Sequence, residues 1–193
     1  CPDCKMTYQP TSHTDTAVHK KFHLRAVEGR EWNSNWGGVV YRDSVRKQRY
    51  IVKIDPTKAP ERKATEDLIE LVNTELNAPR DRELWKSKQS DNGAVLVYIA
   101  DNRAVGLVVV ERAFVGHWMS VDTGEILDNG TFKIMLGISR IYVSKRHRLQ
   151  GISTSLLNVM CCNFIYGIKI PRTQVGWSQP SATGGKVASR WAG

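Results

Sequence analysis

Gly137-Ile138-Ser139-Arg140-Ile141-Tyr142-Val143, and after four residues Arg148-Leu149-Gln150-Gly151-Ile152-Ser153, read as an apolar strand, a basic loop and a glycine that opens a helix. The run Ser155-Leu156-Leu157-Asn158-Val159-Met160 continues with amphipathic spacing. A strand that turns into a helix through such a loop aims unpaired backbone N–H groups and the positive end of the helix dipole at one point, which suits a pyrophosphate. The expectation is a cradle for a nucleotide-like cofactor.

Neither common phosphate motif is present: there is no Gly-x-x-x-x-Gly-Lys-Ser/Thr, and no Gly-x-Gly-x-x-Gly after a strand. The loop resembles the Arg/Gln-x-x-Gly-x-Gly/Ala turn of the Gcn-type acetyltransferases, with Arg148, Gly151 and Ser153 at the marked positions. An ordinary strand-to-helix connection is the other reading of the same residues.

At the opposite end, Cys1-x2-Cys4 is followed by fourteen residues and His19-x3-His23. Two thiolates and two imidazoles complete the tetrahedron zinc prefers in a closed structural site, so a metal here folds a finger and leaves no open position for chemistry. A formal charge of +9 invites a DNA-reading role. The finger is single and carries no dense arginine set, so it is expected to make a non-specific DNA contact at most.

A chain of 193 residues, 41% hydrophobic, can bury one core plus a small module. No apolar run reaches the ~18 residues of a membrane span, and no membrane partner is expected. Cys161 and Cys162 are vicinal on a helix and point apart, which disfavours a disulfide and points to a reducing compartment. A buried helical thiol is the simpler reading than a nucleophile, since no Cys-His-Asn set is recognisable. A start at Cys1 reads as a piece of a longer polypeptide.

Residues 29–38 read as a glycine-punctuated linker with two tryptophans, placing a boundary after residue 35: finger and linker over 1–35, catalytic domain over 36–193. A helix is expected over Thr65 to Leu76, ended by Asn77-Ala78-Pro79, then a β-hairpin around Asp101-Asn102 whose apolar strands lie in the sheet's centre, and a polar insert from Gly116 to Asn129. A glycine-rich tail is expected after Val175-Gly176-Trp177.

Cys1-Pro2-Asp3-Cys4 with His19 and His23, Gly29 to Gly37, Glu75 to Pro79, Gly137 to Val143 and Trp177-Ser178-Gln179-Pro180 together resemble the cohesin acetyltransferases, fungal members above all. The resemblance implies an α/β Gcn-type N-acetyltransferase fold, a mixed central sheet with flanking helices behind a C2H2 finger, whose last strand lies beyond Gly193. It implies acetyl transfer from acetyl-CoA to paired lysines on the ATPase head of cohesin's structural-maintenance subunit, in the nucleus, on chromatin, with replication and chromatin factors engaged through segments before Cys1. Cofactor contacts are implied for Ile141, Tyr142 and Val143, for Arg148, Leu149, Gln150, Gly151, Ile152, Ser153 and Thr154, and for Ser178, Ser181 and Thr183. Catalytic and substrate-side positions fall on Ser139, Asn158, Arg172 and Gln179.

The family places an acid where this chain has Asn158, and an amide is no base at neutral pH. Glu111, Asp128 or a water relay then takes the proton, or the chain is impaired. If position 158 is the base, an acid restored there should speed transfer. A small-amine acetyltransferase and a catalytically silent chromatin adaptor are the competing function classes.

Overall fold

The computed structural model describes residues 1–79, 93–120, 123–178 and 180–192. After the metal-ligand turn, helix α1 (His13–Glu28) is capped by Ser12, whose hydroxyl accepts from the Asp15 N–H at 3.3 Å, and ends at Gly29. Strands β1 (Arg30–Glu31), β2 (Gly38–Arg42) and β3 (Arg49–Lys53) follow, then α2 (Ala59–Leu76), started by a proline in its first turn and stopped by Asn77 in the left-handed region at φ 54°. Next come β4 (Gly93–Ala100), β5 (Arg103–Arg112), β6 (Val115–Met119), β7 (Ile126–Lys133) and β8 (Leu136–Val143). The chain closes with α3 (Ile152–Asn163), β9 (Val175–Trp177) and α4 (Ala182–Ala192).

Among the described residues the main sheet has seven strands, in the order β2-β3-β4-β5-β8-β9 with β1 paired to β5. All neighbours are antiparallel except β8 and β9, so the sheet is mixed. The apolar hairpin β4–β5 lies at its centre, turned by Asp101 and Asn102 at φ 50° and 59° as a two-residue primed turn requires. One face packs on α3 and α4 through Leu156, Leu157, Met160 and Trp191; the other packs on α2 and the finger through Leu68, Val72, Ala26 and Cys4. Truncating any one of the fully buried leucines of α3 is worth roughly 2–5 kcal/mol.

Three sequence expectations change. The polar insert is a two-stranded hairpin, β6–β7, with the Trp118 ring tilted against Phe132 at 4.6 Å. The glycine-rich tail is helical over α4. The expected linker is built into the core: Arg30 and Glu31 pair with Ala104 and Arg103, and Trp32 is buried, its indole N–H donating to the Trp36 carbonyl. Two tryptophans among polar residues gave the signal, because a solvated linker has no use for them.

Candidate active site and metal centre

Strand β8 carries the geometry that matters most. Its register with β5 runs Glu111↔Gly137, Val110↔Ile138 and then Val109↔Arg140, so Ser139 is an extra residue without a cross-strand partner. Such a bulge bends the strand and re-aims a side chain. Ser139 is buried and its hydroxyl donates to the Val109 carbonyl at 3.3 Å. On the other edge β8 pairs with β9 only from Leu136 to Ile138, and the Ser178 N–H closes the contact on the Ile138 carbonyl at 2.9 Å. Beyond Ile138 the two parallel strands part, and among the described residues no strand takes the outer edge of Ser139 to Val143. A wedge therefore opens along β8 whose wall is backbone N–H and C=O.

The wedge leads to the basic loop. Lys145–His147 form one 3-10 turn, and the chain then passes through Leu149 at φ 60° and Gly151 at φ 77° into α3. A Cβ built at Gly151 meets nothing within 4 Å, and no side chain caps α3. The first N–H groups of that helix thus have no side-chain partner at the place where the sequence reading expects an anion. The Arg148 Nε donates back to the Val143 carbonyl at 3.0 Å with the guanidinium over the Tyr142 ring, and Gln150 bridges to the Arg146 carbonyl at 3.3 Å and to Arg49 at 3.1 Å. Arg148, Leu149, Gln150 and Thr154 are exposed, Ser153 is partly so, and Ile152 is buried as the helix anchor. Ile141, Tyr142 and Val143 pair with Val108, Leu107 and Gly106, and burial pushes the Tyr142 phenol up to about 12, leaving it a structural donor.

The remaining site residues divide. The Asn158 Oδ1 accepts from the Trp191 indole at 2.9 Å and from Arg172 at 3.5 Å, and Arg172 also donates to the Trp191 carbonyl at 2.7 Å while lying over its ring. The Ser181 hydroxyl accepts the Gly184 N–H at the start of α4, next to exposed Thr183. Gln179 lies outside the described residues. Asp128 is exposed on β7, in the separate two-stranded sheet. Glu111 is half-buried beside the wedge: a Cβ at Gly137 would lie 3.6 Å from its Cγ and 3.8 Å from Oε1, and Gly137 in turn pairs with Gly176. These two paired glycines leave the closed stretch just before the wedge opens without side chains next to a carboxylate. Alternation along β5 puts Glu111 on the face of Leu107 and Val109, the α2 side, whereas Asn158 projects from α3 on the other. Trp191 was missed from sequence, and an aromatic in an apparently loose tail was the available sign.

Burial pushes the Cys161 thiol up to about 11, with the neighbouring Cys162 adding to it, which fits an inert core thiol. At the other end of the molecule, ligand atoms of Cys1, Cys4, His19 and His23 all lie within 4.8 Å of one another. The Cys1 Sγ is 3.3 Å from the His23 Nδ1, and the His19 Nε2 is buried with no partner among the described atoms. Desolvation and the adjacent His23 hold the His19 pKa below its usual value, favouring the neutral ring a metal needs. A closed two-sulfur, two-nitrogen set at this spacing fits zinc, with no site left for water.

With the geometry in hand, comparison with known proteins identifies the family. Residues 1–25 match the zinc finger of acetyl-transferase ESCO, and residues 132–193 match the ESCO1/2 acetyl-transferase domain. N-acetyltransferase ECO1 of Saccharomyces cerevisiae is 34% identical over an alignment covering 100% of this chain and 83% of that protein. The chain belongs to the ESCO acetyltransferase family. Another ECO1 relative, from Eremothecium gossypii, is 36% identical over 99% of this chain and 82% of its own length. The solved xEco2 acetyltransferase domain bound to a K105-CoA conjugate superposes with TM-score 0.67, at 18% identity, over 80% of this chain and 91% of that one, which establishes the common fold. As a family member the chain is an acetyl-CoA-dependent N-acetyltransferase with a structural zinc finger.

Proposed function

We propose that this chain acetylates lysines on the ATPase head of cohesin, in the nucleus and on chromatin, and so establishes sister-chromatid cohesion. The observation that carries the reading is the wedge where β8 leaves β9 at Ser139, running into the open N-terminus of α3, in a chain alignable throughout with the ECO1 acetyltransferases.

In this reading the pyrophosphate sits against the N–H groups of Gly151 to Thr154 with Arg148 beside it, and the thioester arm runs along Ile141 to Val143, making backbone hydrogen bonds in place of the missing strand. Ser178, Ser181 and Thr183 close the far side. Lysine begins near pKa ~10.4, so at pH 7 less than about one part in a thousand is neutral. Glu111 accepts the ammonium proton. The neutral amine then attacks the thioester carbonyl, whose oxygen is held by a β8 N–H. Collapse of the tetrahedral intermediate breaks the C–S bond and expels the CoA thiolate, and the second amine proton passes to sulfur through solvent. Ser139 shapes the wedge floor, and Asn158 with Arg172 holds Trp191 in place.

The test is acetylation of a recombinant cohesin head against free polyamines, read by mass spectrometry, in wild type and Glu111→Gln. The head is modified and the polyamine is not, and kcat falls ~10²–10⁴-fold in the variant with acetyl-CoA affinity unchanged. Preferential polyamine acetylation refutes the substrate; undiminished kcat refutes the base.

A further inference from the structure

The exposed part of the basic loop has no hydrophobic anchor of its own. Leu149 projects fully into solvent, and Arg148 and Gln150 are exposed. Its position is set by polar contacts, Arg148 on the Val143 carbonyl and Gln150 with Arg49, and by its two ends. One end is α3, fixed by the buried Ile152. The other is the 3-10 turn Lys145–His147, which is held at its start by the buried Ser144, whose N–H donates to the Val105 carbonyl at 2.8 Å, and beyond that by the finger.

Three contacts make the link. The Lys145 ammonium donates to the carbonyl of Asp3, which lies between the zinc ligands Cys1 and Cys4, and reaches Glu75 of α2 at 3.4 Å. The Arg146 guanidinium pairs with Glu28, the last residue of α1. Next to the turn, the Tyr142 hydroxyl donates to the Ala26 carbonyl at 3.2 Å in a buried contact. The turn passes this restraint on, because the Arg146 carbonyl accepts from Gln150, one residue before Gly151.

Charge points the same way. Lys145, Arg146 and Arg148 crowd one short stretch, and like charges this close repel unless they are paired. Glu28 and Glu75 engage the first two cations, leaving Arg148 as the one that faces a phosphate. The Asp3 carbonyl sits in a turn closed by the Lys5 N–H on the Cys1 carbonyl at 3.0 Å, by the Cys1 ammonium on the Met6 carbonyl at 3.0 Å and by the buried Cys4, and an ion shared by Cys1 and Cys4 would tighten that turn further.

We propose that the zinc finger is a positioning element for the acetyl-CoA phosphate loop, with Glu28 and the Asp3 carbonyl acting through Arg146 and Lys145, so that cofactor affinity depends on zinc. This rests on the reading of Arg148 to Thr154 as the phosphate loop. The finger then contributes to turnover at any substrate, independently of whatever it contacts on chromatin.

The experiment is calorimetric titration of acetyl-CoA into the full chain. Glu28→Arg makes the site more positive, so simple attraction of phosphate predicts tighter binding, whereas loss of positioning predicts binding weaker on the order of tenfold. In steady state the acetyl-CoA KM rises by the same factor, with kcat at saturating cofactor unchanged. Arg146→Glu behaves alike, and the exchanged pair Glu28→Arg with Arg146→Glu returns affinity to within about threefold of wild type. Chelating zinc, with helix content followed by circular dichroism, lowers affinity, and added zinc restores it. Wild-type affinity in Glu28→Arg and in the folded zinc-free chain overturns the proposal, as does failure of the exchanged pair to recover. Gly151→Leu separates the two levels: if it binds acetyl-CoA normally the phosphate-loop reading itself is wrong, and if it does not while Glu28→Arg does, only the coupling fails.

Discussion

Asn158→Asp separates two accounts of one position. If the site needs an acid on α3 as its base, the substitution should raise kcat ~10- to 1000-fold near pH 7, with the gain shrinking at higher pH as more lysine is already neutral. The structure argues otherwise. The Oδ1 at this position already accepts from Trp191 at 2.9 Å and lies 3.5 Å from Arg172. A carboxylate of the same shape would turn the indole contact into a charge-assisted bond and gain an exposed ion pair, the latter worth ~0.2–1 kcal/mol and the two together about 1 kcal/mol. Those partners also hold its pKa below the ordinary ~3.9, which makes it a poorer base. The expected result is kcat within about threefold of wild type and a melting temperature higher by ~2–4 °C for a chain of this length. Steady-state kinetics across pH 6.5–9 and differential scanning calorimetry measure both. A tenfold or larger gain in kcat that fades with rising pH, without a rise in melting temperature, would refute the reasoning.

Replacing Gly151 by leucine should cost ~1–2 kcal/mol of stability from the left-handed backbone alone, because a side chain there meets no protein atom, yet it should abolish measurable acetyl-CoA binding by standing where phosphate meets the helix N–H groups. Intact calorimetric affinity would count against the site. Desolvation holds the His147 pKa below the histidine value of 6.5, with Arg49 and Arg146 adding to the depression against the opposing pull of Glu28 and Asp101. Below pH 6.5 the unfolded chain therefore binds the proton more readily than the folded one, so stability is full above 6.5 and declines as pH falls from there toward the lowered folded value. His147→Gln should flatten that decline in urea titrations at pH 5–7; an unchanged slope would place the titrating group elsewhere.

The element order around the candidate site and the metal-ligand cluster were legible because their parts are local. Strand, basic loop, glycine and helix follow one another from Gly137 to Met160, and the metal ligands come as two short-spaced pairs. What the sequence could not deliver depends on register and long-range docking. Nothing in Val109 or Arg140 announces that Ser139 is left over between them, and Glu111 gains its place only because Gly137 is paired opposite it. The Trp191 contact with Asn158 spans 33 residues and is made by a helix whose Gly184-Gly185 argued against helix formation. Residues 29–38 look like a spacer by glycine content, and only pairing with β5 turns them into sheet.

That short β1 strand has a consequence for how the molecule can be cut. It pairs with Arg103 and Ala104 of β5 just where β8, which begins its pairing at Gly106, has run out. A polypeptide started at Trp36 would thus lose more than a metal-binding appendage: the end of a central strand would be left bare, the Trp32 cavity open and the Tyr142 hydroxyl buried without its acceptor. What a gene-level dissection would treat as two cassettes is, at the level of hydrogen bonds, one woven piece.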